Sequence, residues 1–310
     1  MRAFVTGGAG FIGSHLVDRL LDHYGDAVTC FDNFSTGNTR NLTEARKSSS
    51  FKMHVGDIVN PYSLSSVIGG HDIIFHFAAN ADVRYGPSHP TLDFQQNTQA
   101  TVNILEAMRA NGIKRIVYAS SSSVYGEPEI PTPENAPRRQ TSLYGASKSA
   151  AEGFIEAYCE AFGFEATILR FVSVLGPRYT HGHVLDFYKQ LREHPDRLDI
   201  LGDGNQRKSY IHVADVIEAV ITASEARHEG VKIYNVGTDD MISVYDSAMV
   251  IFQEMGCDPD IVCQKDRRGW IGDNPNILLN SSRLKALGWA PYHSIVSSVR
   301  ETVRWLMRNS

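Results

Sequence analysis

The sequence predicts an α/β fold in which a doubly wound parallel sheet is accompanied by a smaller C-terminal lobe. Two observations support this prediction. Strand and helix patterns alternate through the first half of the chain, which is typical of a parallel sheet covered on both faces. A glycine-rich segment over residues 6–13 joins the first strand to the first helix. With 310 residues, 42% of them hydrophobic, the chain is long enough to bury a sizeable core.

The predicted elements follow one another along the chain. Apolar residues spaced three and four apart indicate helices over residues 11–24, 93–111, 144–162, 184–193 and 212–224. Short apolar runs between them indicate strands over residues 2–6, 27–31, 53–55, 73–77, 115–119, 165–171 and 232–236. Gly112 and Gly163 follow the two longest helices, as glycines commonly do where a helix ends.

The second half of the chain changes character. Residues 174–210 are rich in glycine, proline and histidine, and beyond residue 240 helices alternate with loops. We therefore predict two domains, each formed by two segments of the chain. Residues 1–173 and 211–238 form the sheet domain, and residues 174–210 and 239–310 form the smaller lobe.

Composition argues against several classes of partner. The formal net charge is −5 and no long basic run is present, so nucleic acids and membrane surfaces are poor candidates. The four cysteines lie too far apart for a zinc site. His181 and His183 flank a glycine, but no carboxylate lies at ligand spacing, so no metal site is predicted. With a strand beginning at Arg2 and no apolar run of about 20 residues, we expect a cytoplasmic protein.

Gly7, Gly10 and Gly13 lie between the first strand and the first helix. Such glycines allow a tight turn and a close approach of the backbone to a pyrophosphate at the helix N-terminus. Asp32 ends the next strand, 19 residues after Gly13. An acid there hydrogen-bonds the ribose hydroxyls and repels a 2′-phosphate, which favours NAD over NADP. Asp57, after the third strand, would lie near the adenine or act as a helix or turn cap.

Tyr144 and Lys148 are four residues apart and follow Ser142, a candidate N-cap, so a helix would bring both side chains to one face. A free tyrosine has a pKa of about 10. A nearby ammonium and a positive nicotinamide ring would both lower the pKa of Tyr144, which would let the phenol act as a base. A serine run at 120–123 follows an apolar strand, where it either binds a ligand or forms a polar turn.

An ordered set of motifs carries a resemblance to a known family. The set comprises TGGAGFIGSH at 6–15, SSSSVYG at 120–126, YGASK at 144–148, LRF at 169–171, YIHVAD at 210–215 and YNVG at 234–237. It resembles the extended short-chain dehydrogenase/reductase family, and within it the NAD-dependent nucleotide-sugar epimerases and dehydratases. The resemblance covers nearly the whole chain. It implies a Rossmann-type sheet domain and a C-terminal lobe that binds the nucleotide sugar.

The resemblance implies one bound NAD and a set of residues that hold it. These positions are Gly7, Gly10, Phe11, Ile12, Gly13, Asp32, Asn33, Ser35, Thr36, Asp57, Ile58, Ala78, Ala79, Asn97, Tyr144, Lys148 and Phe171. It also implies the catalytic residues Ser121, Tyr144 and Lys148. In the family's reaction the tyrosine takes the proton of the sugar 4-hydroxyl while C4 gives its hydride to NAD, and the lysine lowers the tyrosine pKa.

The substrate that the resemblance implies is a UDP-sugar. Its expected contacts are Ser121, Ser122, Tyr144, Ser173, His183, Val184, Lys208, Arg268 and Asp273. Ser173 stands where the family has an Asn, and Lys208 stands where it has an Arg, so Lys208 would meet a phosphate as a point charge. The family's Arg-x-Gly-Asp element is stretched here by two residues, which leaves open whether Arg267 or Arg268 meets the diphosphate.

Two serines favour one of the family's reactions. Dehydratases carry an Asp-Glu pair just after the catalytic Thr, where this chain has Ser122 and Ser123. Without an acid there, elimination of water lacks its general acid and base, so 4-epimerisation is favoured. A dehydratase or reductase on the same scaffold and a non-catalytic NAD-binding regulator remain as alternatives. The resemblance also aligns Ile277 with a gate for N-acetyl groups and leaves their acceptance open.

Other expectations concern assembly and packing. Members of the family commonly dimerise through the two long helices, here 93–111 and 144–162, so a homodimer is expected. His76 and His212 lie in apolar segments and are interpreted as packed side chains. Tyr125 is compatible with a substrate contact or with packing.

Overall fold

A parallel sheet of seven strands forms the centre of the protein in the computed structural model, which describes residues 1–24, 27–84 and 86–309. The strands, numbered along the chain, are β1 (Arg2–Thr6), β2 (Ala27–Asp32), β3 (Phe51–Val55), β4 (Ile73–His76), β5 (Arg115–Ser121), β6 (Glu165–Phe171), β7 (Ser173–Leu175), β8 (Arg197–Ile200), β9 (Arg207–Lys208), β10 (Tyr210–His212), β11 (Gly230–Val236), β12 (Ile242–Ser243), β13 (Asp260–Cys263) and β14 (Asn276–Ile277).

Helices alternate with these strands. Numbered along the chain, they are α1 (Phe11–Tyr24), α2 (Pro61–Ser65), α3 (Pro90–Asp93), α4 (Ala100–Ala110), α5 (Leu143–Phe162), α6 (His183–Glu193), α7 (Val213–Glu225), α8 (Val244–Met255), α9 (Ser282–Lys285) and α10 (Ile295–Asn309). A π-helical turn, Phe94–Gln99, connects α3 to α4.

The central sheet has the strand order β11-β6-β5-β4-β1-β2-β3, and each neighbouring pair is parallel. The carboxyl ends of all seven strands therefore meet at one edge. The order reverses between β1 and β4, which is the point where open α/β sheets bind ligands. This confirms the doubly wound parallel sheet that the sequence predicts.

Alternating side chains of the strands fill two cores. In β1, Ala3 and Val5 pack in the cluster that contains α1 and α7, whereas Phe4 packs in the cluster that contains α2, α4 and α5. This alternation follows from the two-residue period of a strand. A third cluster lies between α6, α8 and α10, and Ile12 and Val174 contact both it and the first cluster.

Two expected helices differ in the structure. The helix predicted over 93–111 is interrupted, because residues 94–99 form a π-helical turn between α3 and α4. The helix predicted to begin at His212 begins one residue later. His212 ends β10 and caps α7, since its Nδ1 accepts a hydrogen bond from the Ala214 backbone N–H at 3.2 Å. The region beyond 240 also contains the short strands β12, β13 and β14, which the sequence did not indicate.

The chain leaves the central sheet after β6 and returns to it at β11. Part of the segment expected in the smaller lobe packs in the sheet core, because Leu279, Leu284 and Trp289 belong to the first cluster. The domain boundaries at 173/174, 210/211 and 238/239 stay a prediction. Within the described residues, the helices fall short of the length and apolar character that crossing a bilayer requires.

Candidate active site

The turn between β1 and α1 is packed so tightly at its glycines that a side chain would not fit there. Gly7 has φ +68°, and a Cβ there would lie 2.7 Å from the backbone N of Ala78. A Cβ on Gly13 would lie 2.2 Å from the carbonyl oxygen of Gly7. The turn is thus bare backbone leading into the first turn of α1, whose N–H groups lack partners within the helix. Such a cradle fits the pyrophosphate of a dinucleotide, and it holds the expected residues Gly10, Phe11 and Ile12.

Asp32 ends β2 beside this turn and is 7% exposed. Its Oδ2 accepts the Ala9 backbone N–H at 2.9 Å, and its Oδ1 accepts the Phe34 backbone N–H at 2.8 Å. Burial raises the pKa of the Asp32 carboxyl, and the two backbone hydrogen bonds lower it. Because each carboxylate oxygen has two lone pairs, Asp32 can hold the turn and still accept ribose hydroxyls.

The next expected cofactor residues lie at the same edge of the sheet. Asn33 follows β2, and its Nδ2 donates to Asp57 Oδ2 at 3.1 Å, while Asp57 Oδ1 accepts the Val59 backbone N–H at 2.8 Å. Asp57 therefore acts as a turn cap in the structure. Ser35 also contacts Asn33, through its backbone N–H. Thr36 lies in the same loop, Ile58 is buried after β3, and Ala78 and Ala79 follow β4.

Asn97 lies in the π-helical turn and is 1% exposed. Its Oδ1 accepts the Asn80 backbone N–H at 2.9 Å, and its Nδ2 donates to Ser147 Oγ at 2.9 Å. Asn97 thus joins the loop after β4 to helix α5. Single π-helical turns often occur at functional sites, and this one places Asn97 between two segments of the expected active site.

Tyr144 and Lys148 lie one turn apart near the start of α5. Ser142 caps the helix as expected, since its Oγ accepts the Gly145 backbone N–H at 3.0 Å. Lys148 is 3% exposed and its Nζ donates to the Ala119 carbonyl at 2.8 Å. The same Nζ lies 5.9 Å from the centre of the Tyr144 ring. Ser121, at the end of β5, lies close enough to Tyr144 for its hydroxyl to act on the pKa of the phenol.

The pKa values in the structure differ from the expected direction for Tyr144. Burial raises the pKa of Tyr144 to about 12, although the nearby hydroxyl of Ser121 acts to lower it. Burial also lowers the pKa of Lys148 to about 7, while the carboxylates of Glu152 and Asp93 act to raise it. Desolvation is therefore the largest effect on both groups, and the charge of Asp93 acts to raise the pKa of Tyr144 as well. The positive nicotinamide ring, which the sequence analysis also expects to lower the pKa of Tyr144, belongs to the cofactor and not to this chain.

A buried ionic network, which the sequence did not indicate, includes Ser120, the first residue of the serine run. The Arg170 guanidinium donates to Glu152 Oε1 at 2.9 Å and to Oε2 at 2.6 Å, and Ser120 Oγ donates to Oε1 at 2.5 Å. Arg170 also donates to the hydroxyl of Tyr125 at 2.7 Å. Tyr125 is 2% exposed, which favours its packing interpretation. Glu152 lies four residues after Lys148, so helical spacing could have indicated it.

The serine run itself lies at the carboxyl end of β5. Ser121 Oγ accepts the backbone N–H of Ser123 at 3.1 Å and lies 3.1 Å from Ser123 Oγ. Ser122 is 8% exposed. The run thus forms the start of a short turn, with the Ser121 hydroxyl close to Tyr144 and to Ser123.

Lys208 and Asp273 form a buried ion pair in the smaller lobe. Lys208 Nζ lies 2.5 Å from Asp273 Oδ1, and Asp273 Oδ2 accepts the Gly269 backbone N–H at 3.0 Å. The Trp270 ring covers the ammonium at 4.6 Å, while its own Nε1 is buried without a hydrogen-bond partner in the described part of the chain. Two of the residues expected to contact nucleotide are therefore paired with each other.

We call residues 266–275 the strap, because they lie across the segments around the serine run and α5. Arg268 forms an ion pair with Glu127, and the side chain of Asn274 donates to the Gly126 carbonyl. Thr141 Oγ1 donates to the Gly272 carbonyl at 3.1 Å. Arg267 is exposed. Arg268 is exposed as well, and its ion pair with Glu127 holds it near the segment that follows the serine run.

The remaining residues expected to contact cofactor or substrate differ in their exposure to solvent. Ser173 is exposed at the start of β7, and Phe171 is 6% exposed and stacks on Phe77 with ring centres 6.3 Å apart. His183 Nε2 lies 2.8 Å from Ser247 Oγ, and burial lowers the pKa of His183 to about 3. Val184 has no exposed surface, so only its backbone could meet a ligand.

One group of side chains has the composition of a metal site. His212, His293 and Glu301 converge within the described residues. However, His212 Nδ1 accepts a backbone N–H, which places the ring proton on Nε2, the atom that faces Glu301 Oε2 at 3.3 Å. The His212 and His293 rings stack with centres 4.1 Å apart. This is the geometry of a hydrogen-bonded cap, and a cation at Nε2 would require the cap to break. His76, in contrast, is packed as expected, between Thr6 and Thr101.

Comparison with known proteins agrees with this geometry. Residues 3–237 match the model of the NAD-dependent epimerase/dehydratase family. A relative described as a putative UDP-glucose 4-epimerase, from Methanocaldococcus jannaschii, is 33% identical over 99% of this chain and 98% of its own length.

Two solved structures are similar over their full lengths. A UDP-galactose 4-epimerase superposes with a TM-score of 0.90 at 37% identity, covering 99% of both chains. The dTDP-glucose 4,6-dehydratase DesIV from Streptomyces venezuelae, solved with NAD bound, has a TM-score of 0.92 at 28% identity, covering 100% of this chain and 98% of its own. Because the family model spans most of the residues and a full-length relative shares a third of them, the chain belongs to the NAD-dependent epimerase/dehydratase family, and NAD is its cofactor.

Proposed function

We propose that the protein is a UDP-glucose 4-epimerase that interconverts UDP-galactose and UDP-glucose. The observation that carries this choice within the family is the pair Ser122-Ser123. A dehydratase needs a general acid and base where these hydroxyls stand, whereas inversion at C4 requires one proton to leave and return. The relatives named as UDP-glucose and UDP-galactose 4-epimerases support the same choice.

The β1–α1 turn, Asp32 and the residues after β3 and β4 would hold the NAD. When bound, NAD would accept the hydride of the sugar C4 and supply it again to the opposite face of C4 after the 4-keto sugar has rotated in the cleft, which inverts that carbon. Asp32 would accept the ribose hydroxyls, and the bare glycine turn would accommodate the pyrophosphate. Lys148 would contact the nicotinamide ribose near Tyr144, and Phe171 and Asn97 would line the same cleft.

Tyr144 would carry the proton chemistry. Its phenol would take the proton of the sugar 4-hydroxyl as C4 is oxidised and return it when C4 is reduced. In the chain alone the pKa of Tyr144 is raised to about 12 by burial, so the charged ammonium of Lys148 and the positive cofactor must both act on it. Ser121 would orient the sugar oxygen, because its hydroxyl lies near the phenol and acts to lower the pKa of Tyr144.

The smaller lobe would bind the UDP group. Lys208 and Arg268 are the candidate cations for the diphosphate, and Asp273 is the candidate for the uridine ribose. Both cations are paired with carboxylates, so binding would exchange the Lys208–Asp273 and Arg268–Glu127 pairs for contacts with nucleotide. Ser122, Ser173, His183 and the backbone of Val184 would complete the site.

Two further proposals concern the setting of the enzyme. We propose a homodimer in the cytoplasm that acts in galactose metabolism. The exposed face of α5 supports the dimer.

A second candidate is a 4-epimerase of UDP-N-acetylhexosamines. Ile277, aligned with the gate for N-acetyl groups, pairs with Lys208 between β14 and β9 and so lies beside the expected UDP site. Its side chain is smaller than a tyrosine, which leaves room for a larger substituent. A sugar-nucleotide 4,6-dehydratase is the third candidate, opposed by the two serines.

The experiment is to incubate purified protein with UDP-galactose, without added NAD, and to separate the products. We expect UDP-glucose at the equilibrium ratio, because the redox change cancels within each turnover. Tyr144→Phe should lower kcat by roughly a hundredfold or more. Tyr62→Phe, at an 84% exposed tyrosine, is the matched control and should leave kcat unchanged. Absence of conversion by the wild type, with NAD supplied, contradicts the proposal and directs the test to UDP-N-acetyl sugars and dTDP-glucose.

A further inference from the structure

Asp93, at the end of α3, is a buried acid that the proposed reaction has not used. It is 1% exposed, and its Oδ1 accepts a hydrogen bond from Asn80 Nδ2 at 2.8 Å. Its Oδ2 is buried and has no hydrogen-bond partner among the described residues. This oxygen faces the start of α5. A Cβ atom placed on Gly86 would lie 3.0 Å from Oδ2 and 3.2 Å from the Cβ of Leu143, the first residue of that helix. A buried carboxylate oxygen without a hydrogen-bond partner is destabilising unless a nearby charge compensates it.

A continuous chain of hydrogen bonds links Asp93 to the catalytic helix. Asn80, which donates to Asp93, also donates its backbone N–H to Asn97 Oδ1 at 2.9 Å. Asn97 Nδ2 donates to Ser147 Oγ at 2.9 Å, and Ser147 Oγ donates to the Tyr144 carbonyl at 2.8 Å. The acid is therefore held in a fixed position relative to Tyr144 and Lys148.

Lys148 is a buried cation in the same region, and no carboxylate among the described residues forms an ion pair with it. Its Nζ donates to the Ala119 carbonyl at 2.8 Å. Glu152, one turn further along α5, carries a charge that Arg170 and Arg138 already balance, with contacts of 2.6 and 3.1 Å. Glu152 raises the pKa of Lys148 more than Asp93 does, but its charge is shared with two arginines, whereas Asp93 has no ion pair of its own among the described residues.

The charges of Asp93 and Lys148 stabilise each other, because the negative charge of Asp93 raises the pKa of Lys148 and the positive charge of Lys148 acts to lower the pKa of Asp93. Burial is the larger effect on Asp93 and raises its pKa overall, and the negative charge of Asp93 also acts to raise the pKa of Tyr144. The other groups facing Lys148 are Tyr144 and Glu152 on α5, and Tyr118 on β5. His76 on β4 faces it as well and stays neutral, since burial lowers its pKa to about 3. Asp82, in the loop after β4, acts on Asp93 by repulsion.

We propose that Asp93 is a positioning residue that keeps Lys148 protonated beside Tyr144, as the buried counter-charge of the catalytic helix. The role in turnover rests on the proposed function, because it requires that a charged Lys148 assist the phenol. Asp93 itself would touch neither cofactor nor substrate and would act through Lys148. The acid would be most needed when the positive cofactor also occupies the site, since two cations would then share one buried region.

The first test measures the charge of Lys148 without turnover. NMR of protein labelled with ¹³Cε-lysine, with Lys148→Met used to assign the resonance, follows its titration. We expect a midpoint at about pH 7 in the wild type and a midpoint lower by about one pH unit in Asp93→Asn. Asn at this position still accepts the Asn80 hydrogen bond, so the substitution removes charge and keeps the contact. An unchanged midpoint overturns the proposal, whatever the activity.

The second test measures turnover against pH with UDP-galactose. A lower pKa of Lys148 leaves less ammonium at alkaline pH. In Asp93→Asn the alkaline limb of the kcat–pH profile should therefore move down by about one pH unit. Above that limb we expect about a tenfold loss of kcat, with little change in KM. Asp82→Asn is the control, because Asp82 lies in the loop after β4, is partly exposed and pairs with Arg84, so this variant should keep the wild-type profile.

The outcomes separate the two proposals. A lowered lysine midpoint with an unshifted pH profile overturns the positioning role while the epimerase assignment stands. A change in KM alone would make Asp93 a substrate contact and also overturn it. If the wild type fails to convert UDP-galactose, the proposed function fails, and the titration of Lys148 still decides whether Asp93 is its counter-charge.

Discussion

Lys148 is a residue whose burial opposes the stability of the fold. Its ammonium is 3% exposed, and burial lowers its pKa to about 7, well below the usual value near 10.5. Below about pH 7 the lysine is charged in both the folded and the unfolded chain, so the desolvation penalty on the folded state is complete. Between about pH 7 and 10.5 the unfolded chain binds the extra proton, so the free energy of unfolding rises with pH through this range.

This sign gives a prediction for Lys148→Met. The substitution removes the buried charge, so we expect the melting temperature to rise by roughly 5 °C at about pH 6. The gain should shrink toward about pH 9, where the folded wild type carries a neutral amine. Thermal unfolding over this pH range measures the difference. Lys52→Met, at an exposed lysine on β3, is the control and should show no such trend. A gain that grows with pH would contradict the argument.

At the scale of secondary-structure elements, the sequence predicted the strands and helices whose apolar residues repeat with a single regular period. The seven sheet strands and helices α1 and α5 have two-residue or helical apolar patterns, and they form where predicted within a few residues. The π-helical turn was missed because its six residues, FQQNTQ, include a single apolar side chain and so show no period that separates them from the neighbouring helices. The strands β9, β12 and β14 are two residues long, too short for any period to show.

The candidate site was predictable to the same extent. Gly7, Asp32, Tyr144 and Lys148 were found because a turn, a strand end and a helix spacing each constrain their residue types. The ion pair of Lys208 with Asp273 joins residues 65 apart in the sequence, and no local pattern connects them. The same holds for the contact of Asp93 with Asn80, since both side chains are brought together by the fold after β4.

The strap depends on one backbone conformation, which gives a prediction. Gly272 has φ +87°, and a Cβ there would lie 2.6 Å from the Thr141 carbonyl oxygen. Gly272→Ala should therefore lift the strap from the segment before α5, because that oxygen belongs to the backbone and cannot move aside. If the strap holds the UDP group as proposed, we expect UDP to bind at least about tenfold more weakly by calorimetry, about 1.4 kcal/mol.

The matched control for this variant is Gly288→Ala. Gly288 has φ +95°, and a Cβ there would meet no atom within 4 Å. Both substitutions introduce a side chain at positive φ, which costs about 1–2 kcal/mol of conformational energy. Only Gly272→Ala adds a clash at the strap. Wild-type affinity for UDP in Gly272→Ala would mean that the strap does not hold the nucleotide.

At the scale of the whole molecule, α5 serves two surfaces. One face carries Tyr144, Lys148 and Glu152 toward the sheet, and all three are buried. The opposite face is exposed and apolar, with residues spaced three and four apart: Leu143, Ala146, Ala150, Phe154, Ala157 and Ala161. The solvent face of a surface helix is normally polar or charged. An exposed apolar stripe of this kind indicates a protein–protein interface, which supports the proposed homodimer.

The dimer is tested by placing a charge in the middle of this stripe. Phe154 is 45% exposed, and in a dimer its side chain would be buried against the partner, where an unpaired carboxylate is strongly unfavourable. We expect the wild type to be dimeric by mass photometry and Phe154→Glu to be monomeric. Tyr292→Glu, at a 90% exposed aromatic outside α5, is the control and should stay dimeric. A wild-type monomer at micromolar concentration would refute the dimer. A dimeric Phe154→Glu variant would place the interface on another face, and Tyr144 and Lys148 would then be held by the fold of one chain alone.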